Sequence, residues 1–363
     1  MSESTKVMLL GTGDCGGELG LAFRRLGAHV VAVEACADAA QLGGLLDEHA
    51  PQYVVATTAE IPVDVLIAAA ERDGVEVFPT PRGARLSQDR EGLRTLAANE
   101  LGLPTVPFWF AGSAPELAAV AEHAGFPLAV TPVAGGRADG RSVLLRSDDV
   151  EAAWRVATGA TPAGALQRVL AETVVEVDDE VTLLTVRTIG QAGPAVHFCE
   201  PIGHRELPDG TFEAWQPHVM SLEALDAARS IAARIVNSVG GRGVFAVELL
   251  LRGAEVYFAA IHALPTDSAL VTLRSQRLSQ FDLHARAILG LPLDTIMISP
   301  AAVEVAAADG VAPVAVLADA LATQETDVRL VDGAAVSLAT APDVVRARDR
   351  ARRVAAALAG ADA

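Results

Sequence analysis

Gly11, Gly13 and Gly16 follow a short apolar run at 7–10, and an acid, Glu34, closes the next apolar run at 29–33. Glycines in this pattern let a backbone approach a phosphate at a helix N-terminus, where free N–H groups point outward, and a later acid accepts ribose hydroxyls. One reading is therefore a nicotinamide-binding turn built on Gly11, Gly13, Gly16 and Glu34. The plainer reading is steric, since the same glycines turn a strand tightly into a helix. Asp14 and Cys15 put an acid and a thiol inside the turn, where a pyrophosphate favours neither.

Cations narrow the chemistry further. The 363 residues include one lysine, Lys6, among 28 Lys and Arg. Lysine-tipped phosphate loops and Schiff bases need an ammonium on a flexible stem beside the reacting atoms. Lys6 stands just before the first predicted strand, a poor place for either, and the planar fork of arginine approaches a crowded phosphate differently. A coding bias toward Ala and Arg is the bland explanation of the scarcity. Cys15, Cys36 and Cys199 have no paired or metal-like spacing, so neither a disulfide framework nor a zinc site is expected. A formal charge of -18 opposes nucleic acid and anionic membranes. The polar start Met1-Ser2-Glu3-Ser4-Thr5 lacks an apolar leader, and no run approaches the ~18 apolar residues of a membrane span. A cytoplasmic chain with neither nucleic acid nor membrane as partner is expected. The Arg-rich stretch Arg346, Arg348, Arg350, Arg352 and Arg353 reads as a solvated helix face.

These residues need a scaffold. Apolar runs at 7–10, 29–33, 53–55 and 75–78, alternating with helical stretches through Leu26 and around 63–70, predict a small doubly wound parallel sheet. A helix is expected over 87–101. Strands are expected at 126–133, 143–145, 169–175, 180–188 and 195–201, with a Gly-rich loop at 135–140. A helix at 222–237 precedes a hairpin of 244–251 and 255–261, and a helix at 278–289 follows. Short strands and the Arg-rich helix fill the last ~60 residues.

Several stretches together resemble formate-dependent glycinamide ribonucleotide transformylase, a family of the ATP-grasp superfamily. They are Val7-Met-Leu-Leu-Gly-Thr-Gly, Asp89-Arg-Glu-Gly-Leu-Arg, Val196-His-Phe-Cys-Glu-Pro-Ile-Gly-His-Arg, Trp215-Gln-Pro, Val247-Glu-Leu and Leu270-Val-Thr-Leu-Arg-Ser-Gln. The similarity runs in order across nearly the whole chain, with shortened segments at 39–42 and 332–336. It implies an α/β architecture of three domains: a Rossmann-like substrate-side domain at 1–85, an ATP-grasp domain at 86–297 and a small β-rich cap at 298–363. It also implies a homodimer and a reaction in which ATP phosphorylates formate and the amine of glycinamide ribonucleotide captures the formyl group. On this resemblance Arg90, Glu172, Val175 and Glu180 hold ATP, the last three at the hinge that receives adenine and ribose. Glu248 matches one of two magnesium glutamates, and Gly13, Asp14 and Asp267 lie on the substrate side. Each has a bland alternative: Glu172 and Glu180 as solvent-facing strand residues, Arg90 as half of a surface pair.

The departures from the family cluster at its charges. A lysine that reaches the ATP phosphates is replaced by Thr131, before Pro132. A second, in a serine-rich loop, falls at Asp139, where Arg137 or Arg141 could compensate. Losing such charge-assisted contacts costs about 1.5–3 kcal/mol each. The second magnesium glutamate falls at Ala260, and His262 is a poor substitute because magnesium prefers oxygen ligands. The family's acidic pair falls near Thr57 and Ala59, its Gly-Glu-Leu-Gly turn becomes Gly13-Asp14-Cys15-Gly16, and its phosphate arginines are missing from Asp332-Gly333-Ala334-Ala335. The leading expectation is therefore a divergent homologue that has lost the parent reaction, a nucleotide-binding scaffold or pseudoenzyme with a protein partner. The enzyme alternative is an active ATP-dependent formyltransferase or ligase in which arginines replace the lysines. ATP and magnesium are the candidate cofactors of either.

Overall fold

The computed structural model describes residues 4–11, 14–36, 38–134, 140–161, 165–191, 193–308, 312–331 and 333–359. Gly13, Arg137 and Asp139 lie outside the described residues, as do the side chains of Asp14 and Cys15.

The N-terminal unit is a four-stranded parallel sheet in the order His29–Val33, Lys6–Leu10, Tyr53–Ala56, Glu76–Phe78. Helices Asp14–Arg25, Ala39–His49 and Val63–Ala70 connect its strands. Val7, Met8, Leu9 and Leu10 are all buried, as a central parallel strand covered on both faces requires. The turn behind it is as tight as its glycines imply. Gly11 has a φ of +81°, and a Cβ there would lie 2.6 Å from Thr58 Cγ2. Thr57 is buried and its hydroxyl donates to the carbonyls of Gly11 and Leu10.

A second sheet, antiparallel and four-stranded, runs Phe108–Ala111, Val169–Thr173, Leu128–Pro132, Ser142–Leu144. Helices Ala114–Ala124 and Val150–Gly159 share a buried core with it. The third sheet has nine strands. Its path is Glu255–His262, Gly243–Arg252, Asp179–Gly190, Ile202–Glu206, Phe212–Gln216, Ala301–Ala307, Ala334–Thr340, Thr326–Val331, and Gly193–Phe198 also pairs with Asp179–Gly190. Helix Leu222–Val239 packs on one face through Ala228, Ile231, Ile235 and Val236 against Leu183, Val247 and Phe258.

Three sequence expectations change here. Strands Ile202–Glu206 and Phe212–Gln216 went unpredicted because buried polar residues, His204, Glu213 and Gln216, interrupt their apolar alternation. The helix expected at 87–101 is broken at Asp89, whose extended backbone ends Pro81–Gln88 and whose carboxylate caps Arg90–Thr95. The Arg-rich helix, Val344–Ala359, is also more than a solvated face. Its Arg348 grips the fully buried Glu213 with Nε at 2.9 Å and Nη2 at 2.8 Å, and its guanidinium lies 4.1 Å from the Trp215 ring centroid.

Candidate nucleotide site

The motif Asp89-Arg-Glu-Gly-Leu-Arg builds one wall. Asp89 Oδ1 accepts from Gly92 N at 3.0 Å, and a Cβ at Gly92 would fall 2.6 Å from Asp89 Oδ2, so glycine is the residue that admits this cap. The capped turn sets Arg90 and Arg94 one helical turn apart on a shared face. Arg90 donates from Nη1 to the Pro132 carbonyl at 2.8 Å and from its backbone to Val133 O at 3.3 Å. It thereby holds the end of strand Leu128–Pro132, where Thr131 is buried. Arg94, to which the sequence reading gave no role, pairs with Glu172 Oε1 at 2.5 Å and donates to Phe258 O at 3.0 Å. Spacing of four residues from Arg90 on a helix was the signal available.

The hinge follows. Residues 174–178 leave strand Val169–Thr173 and enter Asp179–Gly190, with Thr173 N bonded to Pro107 O and Val174 N to Pro127 O. Asp178 N bonds to Leu251 O, and Gly253 N donates to Asp178 Oδ2 at 2.6 Å. Val175 is half-buried between Glu172 and Glu180. Glu180 is half exposed, with Oε2 3.9 Å from Nδ1 of the buried His204. Arg90 and Glu172 thus stand at the small sheet and Glu180 on the large one, with Val175 in the segment between, and Glu172 already has one oxygen committed to Arg94.

Glu248 stands on the large sheet, directly opposite Thr182 on one side and Ala260 on the other. It is buried, and its Oε1 lies 3.3 Å from His262 Nε2. Alternation along the strand puts Ala260 and His262 on the same face as Glu248. A two-carboxylate magnesium set is therefore not what this hairpin offers, because the position facing Glu248 is a methyl and the next donor is a nitrogen. Beside it, Thr182 Oγ1 donates to Ser268 Oγ at 3.0 Å, and Ser268 meets Thr266 Oγ1 at 3.1 Å. Gln280, fully buried, clamps Thr266 by accepting from its N–H and donating to its carbonyl, both at 2.9 Å. Asp267, the next residue, is thereby set exposed at the head of the short helix Asp267–Val271.

A cavity of about 160 Å³ opens elsewhere, between helices Asp14–Arg25 and Gln280–Ile288 and strand Thr326–Val331. Its Arg329 is answered by Glu18 at 3.3 Å and Asp327 at 2.6 Å, and its Arg277 by Asp294. Glu34 is exposed beyond His29–Val33.

Two antiparallel sheets joined by a tethered hinge and bridged by Arg94 are the setting of an ATP-grasp protein, and the ATP-grasp domain family matches residues 96–281. More narrowly, the chain belongs to the formate-dependent phosphoribosylglycinamide formyltransferase family. The Corynebacterium glutamicum protein of that name is 45% identical over 98% of this chain and 94% of its own length. Its Rhodococcus jostii counterpart is 42% identical over 97% and 94%. Among solved structures, glycinamide-RNase-transformylase T from Mycobacterium tuberculosis superimposes with a TM-score of 0.85 at 47% identity, covering 97% of this chain and 99% of that one. A carboxyaminoimidazole ribonucleotide synthase from Aspergillus clavatus, at 20% identity and TM-score 0.85, shares the fold over 99% of this chain and 100% of its own.

These findings overturn the expectation of a pseudoenzyme scaffold. Relatives this similar over almost their full length carry the name of the enzyme, so the altered charges are no ground for reading the reaction as lost. Counting lost lysines overstated their weight, since a reaction driven by several electrostatic contacts can draw them from other groups. The nicotinamide alternative gains nothing from the comparisons.

Proposed function

We propose that the chain is an active formate-dependent phosphoribosylglycinamide formyltransferase of purine biosynthesis. The observation that carries this reading is 45% identity maintained over 98% of the chain. In the reaction, formate oxygen takes the terminal phosphoryl group of ATP, releasing ADP and leaving formyl phosphate. The amine of the ribonucleotide then attacks the formyl carbon, phosphate departs, an amide forms and the amine loses a proton. We assign Glu180 to the ribose hydroxyls, the hinge at Val175 to adenine and Arg90 to the phosphates, with Glu172 bracing the hinge through Arg94. Arg141, exposed directly before strand Ser142–Leu144, follows the loop expected over the phosphates and is read as a replacement for its lysine. Asp267, Asp14 and Gly13 are assigned to the ribonucleotide side.

The reading extends to three domains at 1–85, 86–297 and 298–363, a homodimer and a cytoplasmic setting. Among the described residues no helix is long and apolar enough to cross a membrane. The test is product formation: formylated ribonucleotide detected by mass spectrometry, with ADP release that requires both formate and glycinamide ribonucleotide. Glu248→Ala is expected to slow turnover about a hundredfold. Failure of wild type to exceed that control would sink the proposal.

A further inference from the structure

The pair at the cation position of the hairpin is an oxygen and a nitrogen. Glu248 Oε1 and His262 Nε2 lie 3.3 Å apart on one face of the strands Gly243–Arg252 and Glu255–His262. Adjacent ligands of an octahedral cation at about 2.1 Å stand about 3.0 Å from each other, so the two donors have the separation that one shared ion needs. His262 Nε2 is buried and has no hydrogen bond among the described residues, despite its closeness to the carboxylate. Ala260, the strand partner of Glu248, brings a methyl group where a second carboxylate would stand. Among the described residues no group of three or more His, Cys, Asp or Glu could hold a metal, so this is an open two-ligand site rather than a closed structural one.

The chemistry of the donors selects the ion. Magnesium binds through charge and oxygen and dehydrates reluctantly, so exchanging a carboxylate for a neutral imidazole weakens it twice over. Divalent transition ions accept imidazole nitrogen and gain from it, in an order that rises from manganese to a maximum at copper and falls back at zinc. We propose that Glu248 and His262 form a site for a divalent transition-metal ion, favouring it over magnesium, with water and nucleotide phosphate oxygens completing the shell. The part of this inference that places a nucleotide at the ion rests on the proposed function.

The full-length protein would be loaded with Mn²⁺ alone and with Mn²⁺ plus ADP, and examined by pulsed electron paramagnetic resonance. The expected result is nitrogen-14 modulation from a directly bound imidazole, lost in His262→Gln. A thermal melt checks that this variant folds. Independently, Ala260→Glu restores the second carboxylate and is expected to raise binding of Mg²⁺ relative to Mn²⁺ by about tenfold or more. Absence of nitrogen modulation in both samples overturns the site and leaves Glu248 and His262 as an ion pair; so does its persistence in His262→Gln, or an unmoved preference in Ala260→Glu. Calorimetry with ATP separates the two proposals. ATP binding without nitrogen modulation removes the transition-metal site and keeps the enzyme reading, whereas modulation without ATP binding does the reverse.

Discussion

Arg94 spans the two lobes: its guanidinium pairs with Glu172 in the small sheet and donates to the Phe258 carbonyl in the large one. Arg94 is 7% exposed, so the bridge is mostly shielded from water, and removing one partner strands a charge. Arg94→Met is expected to destabilise the fold by about 3–5 kcal/mol. If the bridge also sets the lobe spacing, the same variant raises KM for ATP several-fold while KM for the ribonucleotide changes little. Denaturant unfolding and the two KM values check both parts, and a double-mutant cycle with Glu172→Gln gives the coupling.

Asp267 is held at one remove. Gln280 forms two hydrogen bonds to the backbone of Thr266, the residue before Asp267, so it acts as a positioning residue. Gln280→Leu removes both bonds and is expected to cost about 1–3 kcal/mol. Because the strap that carries Asp267 loosens, KM for the ribonucleotide should rise while KM for ATP holds. Equal rises in both constants would assign Gln280 to general stability alone.

Much of the architecture was legible because its strands are apolar. The parallel N-terminal sheet, the hairpin around Glu248 and the helix expected at 222–237 all follow from periodicity and turn residues. What escaped was decided by contacts distant in sequence. Nothing near Glu213 in the sequence marks its partner, because Arg348 lies far along the chain and folds back onto it. Arg94 was visible within a motif, but its partners, Glu172 and Phe258, come from two different sheets. The spacing of His262 from Ala260 predicts a shared face, whereas its approach to Glu248 depends on the pairing register of the hairpin.

His284 gives an acid limit. It is fully buried and accepts a hydrogen bond from Val244 N at 3.0 Å through Nδ1, and burial pushes its pKa down from 6.5 to about 3. A folded pKa below the unfolded one means the contribution is complete above pH 6.5 and lost as pH falls toward 3. Stability should therefore decline by about 1.4 kcal/mol per pH unit across that window from this group alone. His284→Gln, which keeps an acceptor for Val244, should flatten the slope in urea titrations at stepped pH. An unchanged slope would show that other groups set the acid limit.

Glu304 is the least comfortable acid described. It faces Glu213 directly across paired strands, its Oε1 has no hydrogen bond among the described residues, and Arg352 Nε is no nearer than 3.7 Å. Burial raises its pKa, and Glu213 raises it further. For Glu213 itself burial also pushes upward, but Arg348 and Arg205 outweigh it and hold that carboxyl below the ordinary value. The two acids therefore respond to pH in opposite directions. Glu213 contributes stability above the ordinary carboxylate range that is lost as pH falls through its depressed pKa. Glu304 favours the fold most when protonated, and that advantage fades as pH rises through its raised pKa. Glu304→Gln should consequently stabilise the protein at pH 7 by about 1 kcal/mol, with the gain disappearing below pH ~4. Glu213→Gln should destabilise it at neutral pH by about 3 kcal/mol, since Arg348 and Arg205 lose a shared buried counterion. Thermal melts of the two variants at pH 7 and pH 4 check this, and a lower Tm for Glu304→Gln at pH 7 would refute the assignment of Glu304 as a strained charge.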